Sequence, residues 1–167
     1  MSTLRSSGRR AAVRSLQRGV AAVEFALVFV ALFSVVYALA TFGAVLYTQQ
    51  AVTRAAEEGA RAVGLLTPAA TAGDARVKDA VYDALANSLV VPVSANTNVT
   101  SRRSWIVSQV VVDVAPSAPT GPGAYVRYVV TVTYPYRANR LLPSMMGFDS
   151  WTPDQLRSRA SAALRSS

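Results

Sequence analysis

The feature that most constrains this chain is a long apolar run that begins after Arg18. Between Arg18 and Arg54, the only side chain expected to be charged is the carboxylate of Glu24. About 20 consecutive apolar residues cross the hydrocarbon core of a bilayer as a helix, and no proline interrupts the run. The sequence therefore predicts one continuous helix over residues 20–66, of which residues 20–46 span a membrane.

The positive charge of the chain is concentrated ahead of this run. The protein has 167 residues and a formal net charge of +8 at pH 7. Residues 1–19 contain no acidic residue and five arginines, which leaves +3 for residues 20–167. Basic flanks of a membrane span stay in the cytoplasm, so we interpret residues 1–19 as a cytoplasmic leader that is not a folded unit. Nucleic-acid binding by this leader is the rival interpretation, and we expect no nucleic-acid partner.

Two residue types that carry much of protein chemistry are missing. The chain has no cysteine and no histidine, so it lacks disulfides, thiol chemistry, and the commonest general base and metal ligand. Its hydroxyl residues do not occur in a pattern typical of an activated nucleophile with its base. We therefore expect neither enzymatic activity nor a metal or cofactor.

The second part of the predicted helix, residues 47–66, is amphipathic and is expected to continue outside the membrane. It contains small residues at a spacing of four, namely Ala51, Ala55 and Gly59. Small residues at this spacing lie on one helix face and allow close packing. The packing partner is either the domain that follows in the same chain or another subunit.

Residues 67–167 predict a small extracytoplasmic α+β domain. A loop over residues 65–73 is followed by an amphipathic helix from Asp74 to about Leu89, and the β-branched residues of segment 104–114 predict a strand. A second strand is predicted over residues 124–136, antiparallel to the first and joined to it by a Pro/Gly-rich loop.

The last part of the chain predicts a further strand and a plug for the sheet. Residues 154–165 alternate apolar and polar residues, which favours a strand, although a helix fits nearly as well. The irregular segment 137–153 carries an apolar cluster that we expect to cover the end of the sheet: Leu141, Leu142, Met145, Met146, Phe148 and Trp151.

The start of the apolar run carries a recognisable motif. The stretch Gly19-Val-Ala-Ala-Val-Glu24-Phe25, after basic residues and before an apolar helix, resembles the class III signal of type IV pilin-like proteins. More closely, the chain resembles the TadE-like family of tight-adherence (Tad/Flp) pilus systems. That family combines this start with a later segment, here Tyr47, Gln50, Val52, Ala55, Ala56, Glu58, Gly59, Ala60 and Arg61. A shorter part of the resemblance is the strand with Val130, Val132, Tyr134 and Tyr136.

The resemblance implies a pilin-like fold and a specific set of partners. A prepilin peptidase would cut between Gly19 and Val20, and the mature protein would be a minor pilin or pseudopilin that takes part in pilus assembly for surface adherence. Its other partners would be further Tad pilin-like subunits, the inner-membrane assembly platform and the lipid bilayer. The protein would be a single-pass protein of the cytoplasmic membrane, with its N-terminus in the cytoplasm and its C-terminal domain outside.

Glu24 and the adjacent Phe25 are the predicted assembly residues. Cleavage after Gly19 would expose an ammonium at Val20, and the carboxylate of one subunit could pair with the ammonium of a neighbour. An unpaired carboxylate in an apolar environment is costly, so pairing would favour one axial register. The alternative is a carboxylate close enough to the cytoplasmic boundary to stay hydrated, with Gly19 as a loop residue ahead of the helix.

Two other interpretations of the apolar run remain. Ala38-Leu39-Ala40 forms an A-x-A sequence, after which a signal peptidase could cut to release an exported protein. The length of the run and the presence of Glu24 argue against this. The third interpretation is an uncleaved membrane-anchored binding module, such as an adhesin or a scaffold.

Overall fold

The computed structural model describes residues 7–66, 70–88, 90–117, 125–143 and 151–165, and it confirms the predicted α+β class. In chain order, the helices and strands are α1 (Ser7–Leu65), α2 (Ala75–Ala86), α3 (Val99–Gln109), β1 (Val111–Pro116), β2 (Tyr125–Tyr134) and β3 (Leu156–Arg165). Short 3₁₀ turns occupy Val93–Ala95 and Arg137–Asn139. The chain divides into two compact units, Met1–Thr41 and Phe42–Ser167.

Helix α1 is longer than predicted at its N-terminal end. It begins at Ser7 rather than at Val20, and it ends at Leu65. The segment ahead of Val20 is rich in Ala, Arg, Leu and Gln, which are strong helix formers even without an apolar periodicity. The helix predicted over residues 20–66 therefore extends further toward the N-terminus, to Ser7.

Helix α2 confirms the second predicted helix, although it ends earlier, at Ala86. Asp74 is its N-cap: the carboxylate accepts hydrogen bonds from the backbone N–H of Arg76 at 3.0 Å and of Thr71 at 3.2 Å. It also pairs with the Arg76 guanidinium at 2.9 Å. The hydrogen bond from this guanidinium is the main cause that holds the pKa of Asp74 well below its usual range. The core-facing side of α2 carries Val77, Val81 and Leu85.

Helix α3 was not predicted, and it corrects the strand predicted over residues 104–114. The Asn98 side chain caps the helix by accepting a hydrogen bond from the backbone N–H of Ser101 at 2.8 Å. Helical geometry buries Ile106 completely and leaves Val107 47% exposed. Local capping and the burial of one side chain therefore outweigh the β preference of this segment, and only Val111–Pro116 remains as strand β1.

The three strands form one antiparallel sheet in the order β1-β2-β3. The predicted pairing of the first two strands is confirmed, and so is the strand at the C-terminal end of the chain. On β2, one face is buried at Tyr128, Val130, Val132 and Tyr134. Thr131, on the other face of the central strand, is also buried at 6% exposure.

The core lies between the sheet, α2 and the part of α1 that belongs to the second unit. Three residues of α1 are completely buried there, namely Val52, Ala56 and Val63. Two buried tyrosines of β2 form hydrogen bonds with the segments before and after α2. Tyr128 Oη donates to the Ala70 carbonyl and Tyr134 Oη donates to the Val90 carbonyl, each at 2.6 Å.

The predicted plug at the end of the sheet is wrong for Trp151, which is 87% exposed. The turn that precedes β3 buries the neighbouring Thr152 instead, and the Thr152 carbonyl accepts a hydrogen bond from the Arg137 guanidinium at 3.1 Å. Leu141 and Leu142 are half-buried. Met145, Met146 and Phe148 lie outside the described residues.

Candidate functional site on the first helix

The motif around Glu24 lies inside a continuous helix. The backbone of Gly19 is helical, so Gly19 is not a loop residue ahead of the helix. Val20 and Phe25 are 67% and 72% exposed, and Glu24 is also exposed. Among the described residues, Glu24 has neither a hydrogen-bond partner nor an ion-pair partner. This carboxylate is therefore free to pair with a group from outside the chain.

Val20 and Glu24 lie on the same face of α1. A spacing of four residues places two positions one above the other, with an axial rise of about 6 Å. A cut after Gly19 would thus put the new ammonium and the carboxylate on one stripe of the helix, about one turn apart.

An aromatic ladder extends from Phe25 along the same helix. The rings of Phe25, Phe29, Phe33 and Tyr37 follow one another with centroid separations of 6.2 Å. The three phenylalanines are exposed. The ladder gives the helix an aromatic stripe that begins at the residue after Glu24.

The hydroxyl groups in this part of α1 bind their own helix. Ser34 Oγ donates to the Val30 carbonyl at 2.8 Å, and Thr41 Oγ1 donates to the Tyr37 carbonyl at 2.9 Å. Such bonds satisfy a polar side chain locally, without a partner from another element. Residues Val20–Leu65 are long and apolar enough to cross a membrane, and the most apolar stretch has no residue buried within the protein. The long apolar helix suggests a single-pass membrane anchor.

The small residues in the second part of α1 pack within the chain. Ala55 is 1% exposed, Gly59 is buried and Ala51 is half-buried. A Cβ atom at Gly59 would lie 2.6 Å from Val81 Cγ2 of α2 and 2.9 Å from Val130 Cγ1 of β2. Ala55 and Gly59 therefore lie where α1 packs against the rest of its own domain. Because they are buried there, they have no exposed surface with which to contact another subunit.

The sequence did not predict a groove that lies between α1 and the C-terminal end of α2. The groove has a volume of about 280 Å³ and is lined by Tyr47, Gln50, Ala51, Arg54, Ala84, Asn87 and Ser88. Its α1 side contains Tyr47 and Gln50, which belong to the second motif segment. Its α2 side could not be found from the sequence, because nothing there indicates which end of α2 reaches α1.

The described residues hold no group of three or more His, Cys, Asp or Glu side chains arranged to bind a metal ion. The site thus consists of one unpaired carboxylate on an apolar, aromatic helix, and of a second segment that packs against the folded domain.

Comparison with protein families supports the sequence resemblance. Residues 19–61 match the family model described as TadE-like protein. The match begins at Gly19, ends at Arg61 and includes both motif segments, all of them within α1. No curated protein and no solved structure matches the chain. The family match suggests a Tad pilus-associated protein in a membrane environment.

Proposed function

We propose that this protein is a minor pilin or pseudopilin of a Tad/Flp-type pilus system, processed by a prepilin peptidase and active in pilus assembly for surface adherence. The observation that carries the proposal is the family match over residues 19–61, which joins the Glu24 motif and the second motif segment on one uninterrupted helix. The proposed partners are the peptidase, other Tad pilin-like subunits and the inner-membrane assembly platform. The proposed role is structural, without catalytic activity.

In this proposal, the anchor is oriented with the basic leader in the cytoplasm and residues 47–167 outside. The five arginines ahead of Val20 and the absence of acidic residues there support this orientation, since basic flanks are retained on the cytoplasmic side. The peptidase would cut after Gly19 on that side and leave the apolar helix in the mature protein.

Glu24 would set the axial position of one subunit against the next. After the cut, each helix presents an ammonium at Val20 and a carboxylate about 6 Å further along the axis. Two neighbouring helices offset by about one turn would bring the ammonium of one beside the carboxylate of the other. In an apolar environment, an ion pair left without one partner costs about 3–5 kcal/mol, so other offsets would be disfavoured.

The N-terminal residue of the mature protein tests the processing step. The protein is purified separately from the membranes and from the soluble extracytoplasmic fraction of cells that contain the complete pilus system, and the N-terminus of each sample is determined by mass spectrometry. Val20 is the expected first residue. A protein that starts at Thr41 would instead be an exported protein released by signal peptidase, and one that starts at Met1 or Ser2 would be an unprocessed anchor.

Replacement of Glu24 tests the assembly step separately. Glu24→Gln keeps the shape of the side chain but removes its charge, so co-purification with the other pilin-like subunits should fall more than tenfold if the pair contributes about 3 kcal/mol. Glu57→Gln is the matched control, because Glu57 is an exposed glutamate of the same helix outside the predicted span. Assembly of the Glu24→Gln variant at the level of the control would contradict the register role.

One observation favours the exported protein as a second candidate. The compact unit that carries the sheet begins at Phe42, so a cut after Ala40 would leave this unit intact. The same N-terminal measurement separates the two candidates.

A further inference from the structure

The outer edge of β3 offers a row of backbone groups that no strand among the described residues pairs with. In an antiparallel pair, facing residues alternate between pairs that exchange two hydrogen bonds and pairs that exchange none. The Val114 carbonyl of β1 accepts a hydrogen bond from the Gly73 N–H at 2.9 Å, so it points away from β2. Val114 faces Val130, and the backbone groups of Val130 therefore point toward its β3 partner, Ala160.

This alternation fixes the direction of every backbone group on β3. Ala160 and its even-numbered neighbours bond to β2, and the odd-numbered residues point outward. An independent contact agrees, because Gln49 Nε2 donates to the carbonyl of odd-numbered Arg157 at 3.2 Å. Beyond this contact, no described residue of another element hydrogen-bonds to the backbone of Arg159, Ser161 or Ala163.

The side chains beside this open edge are basic. Arg157 and Arg159 are exposed on the face of β3 that is turned away from the core, and Arg127 is exposed on the same face of β2. None of the three forms an ion pair with a described acidic residue. The nearest acid of that face, Asp113, is in register with Arg159 but lies two strands away, at about 10 Å.

We propose that the outer edge of β3 binds an extended acidic segment of a partner protein as a fourth strand of the sheet. The outward N–H and C=O groups of Arg159, Ser161 and Ala163 would supply the main-chain hydrogen bonds. Acidic side chains at alternate positions of the added strand would share the face of Arg157 and Arg159, at the 4.5–5.5 Å separation typical of cross-strand pairs. This interaction does not depend on the proposed pilus role.

The positive charge of β3 also disfavours pairing of its edge with another basic strand. The sequence of β3, LRSRASAALR, contains three arginines and no acid, so a second copy of β3 would bring like charges together. Like charges at a strand edge oppose edge-to-edge association. The edge is thus protected against self-pairing and remains open to a strand of opposite charge.

The binding test uses the full-length protein in nanodiscs of zwitterionic lipid and two fluorescent seven-residue peptides. One peptide alternates valine and glutamate, and the other alternates valine and lysine. We expect the glutamate peptide to bind at least tenfold more tightly by fluorescence anisotropy, and to protect the amides of Arg159, Ser161 and Ala163 from hydrogen exchange. Equal affinity for the two peptides, or protection confined to other parts of the protein, would overturn the proposal.

Variants separate the charge from the strand edge. Arg157→Glu combined with Arg159→Glu should reverse the preference between the two peptides. Ala163→Pro should weaken binding of the glutamate peptide at least tenfold, because proline lacks the outward N–H of Ala163. The substitution leaves the hydrogen bonds between β3 and β2 in place. Ala163→Thr, which retains that N–H, is the matched control. A glutamate peptide methylated at alternate backbone nitrogens tests the same point on the unaltered protein, and undiminished binding of this peptide would refute strand addition.

An anionic membrane surface is the competing ligand for the arginines. Vesicles that contain phosphatidylglycerol would report it through co-sedimentation of the protein. If this co-sedimentation depends on Arg157 and Arg159 while the glutamate peptide does not bind, the basic face is a lipid contact and the proposal is wrong.

Discussion

Replacement of Gly59 by alanine tests the packing of α1 against its own domain. The new Cβ would lie 2.6 Å from Val81 Cγ2 and 2.9 Å from Val130 Cγ1, whereas carbon atoms in contact are about 3.5–4.0 Å apart. Both valines are completely buried, and a β-branched side chain has little rotamer freedom with which to move away. The two gaps must therefore open by about 0.6–0.9 Å, and such overpacking typically costs about 1–3 kcal/mol.

A matched control removes the helix-propensity effect from this comparison. Alanine gains up to about 1 kcal/mol over glycine inside a helix, which partly offsets the overpacking at Gly59. Gly64 lies in the same helix, and a Cβ there would meet nothing within 4 Å. The difference between the Gly59→Ala and Gly64→Ala variants thus reports mainly the overpacking cost. We expect Gly59→Ala to be less stable than Gly64→Ala by about 1–3 kcal/mol.

The assay is denaturant unfolding of the full chain in detergent micelles, followed by tryptophan fluorescence. Trp105 reports on the fold because its ring packs against Tyr134 with a centroid separation of 6.2 Å. At about 4 °C per kcal/mol for a domain of this size, the two variants should also differ by about 4–12 °C in Tm. Val81→Ala should cost about 1 kcal/mol less in the Gly59→Ala background than in the parent, because it removes one of the two close contacts.

If Gly59→Ala is as stable as Gly64→Ala, and Val81→Ala adds its full cost to both, then α1 does not approach α2 and β2 closely at Gly59. The burial of the small-residue face would then need another explanation.

Three further predictions concern single side chains of the domain. Because the pKa of Asp74 is lowered on folding, its charge contributes stability above the unfolded pKa of about 4. The Tm advantage of the parent over Asp74→Asn, which retains a capping side chain, should therefore be constant above about pH 4 and decline progressively as the pH falls further toward the lowered folded-state pKa, and a difference that does not change with pH would contradict it. Tyr134→Phe should cost about 1–3 kcal/mol in denaturant unfolding, since it leaves the buried Val90 carbonyl without its donor, and an unchanged midpoint would show that the bond is not made. Arg103 bridges Asp79 at 2.8 Å and Asp83 at 2.5 Å on the surface, so Arg103→Ala should lower Tm only slightly and less in 1 M salt; a salt-independent loss would indicate a packing role instead.

Local periodicity was sufficient to predict the helices and strands whose sequence follows a single dominant pattern. The uninterrupted apolar run predicted α1 through Leu65, and the alternation of apolar and polar residues predicted strand β2. Helix α3 was missed because its β-branched residues favour a strand, while the cap at Asn98 and the burial of Ile106 decide the outcome. Propensity over a few residues is a weaker determinant than capping combined with tertiary packing.

Of the functional features, some could be predicted from the sequence and others required the structure. Glu24 could be singled out from the sequence because a lone acid in an apolar run is conspicuous. The partners of Gly59 could not, because a spacing of four reveals a small-residue face but does not identify Val81 and Val130 as the groups that approach it. The open edge of β3 also required the structure, since the direction of its backbone groups follows from contacts of Gly73 and Gln49, which are distant in sequence.

The hydroxyl groups that donate to their own helix affect how a neighbouring helix could slide along α1. Because Ser34 and Thr41 already donate to carbonyls one turn back, a neighbouring apolar helix could shift along this surface without breaking or making a hydrogen bond at these residues. The resistance to such a shift would come from the shapes of the side chains, which pack as ridges into grooves. In the proposed assembly, a shift of one turn would make or break the ion pair between Glu24 and the ammonium at Val20 of a neighbour, so the sliding helices would stop at discrete axial positions.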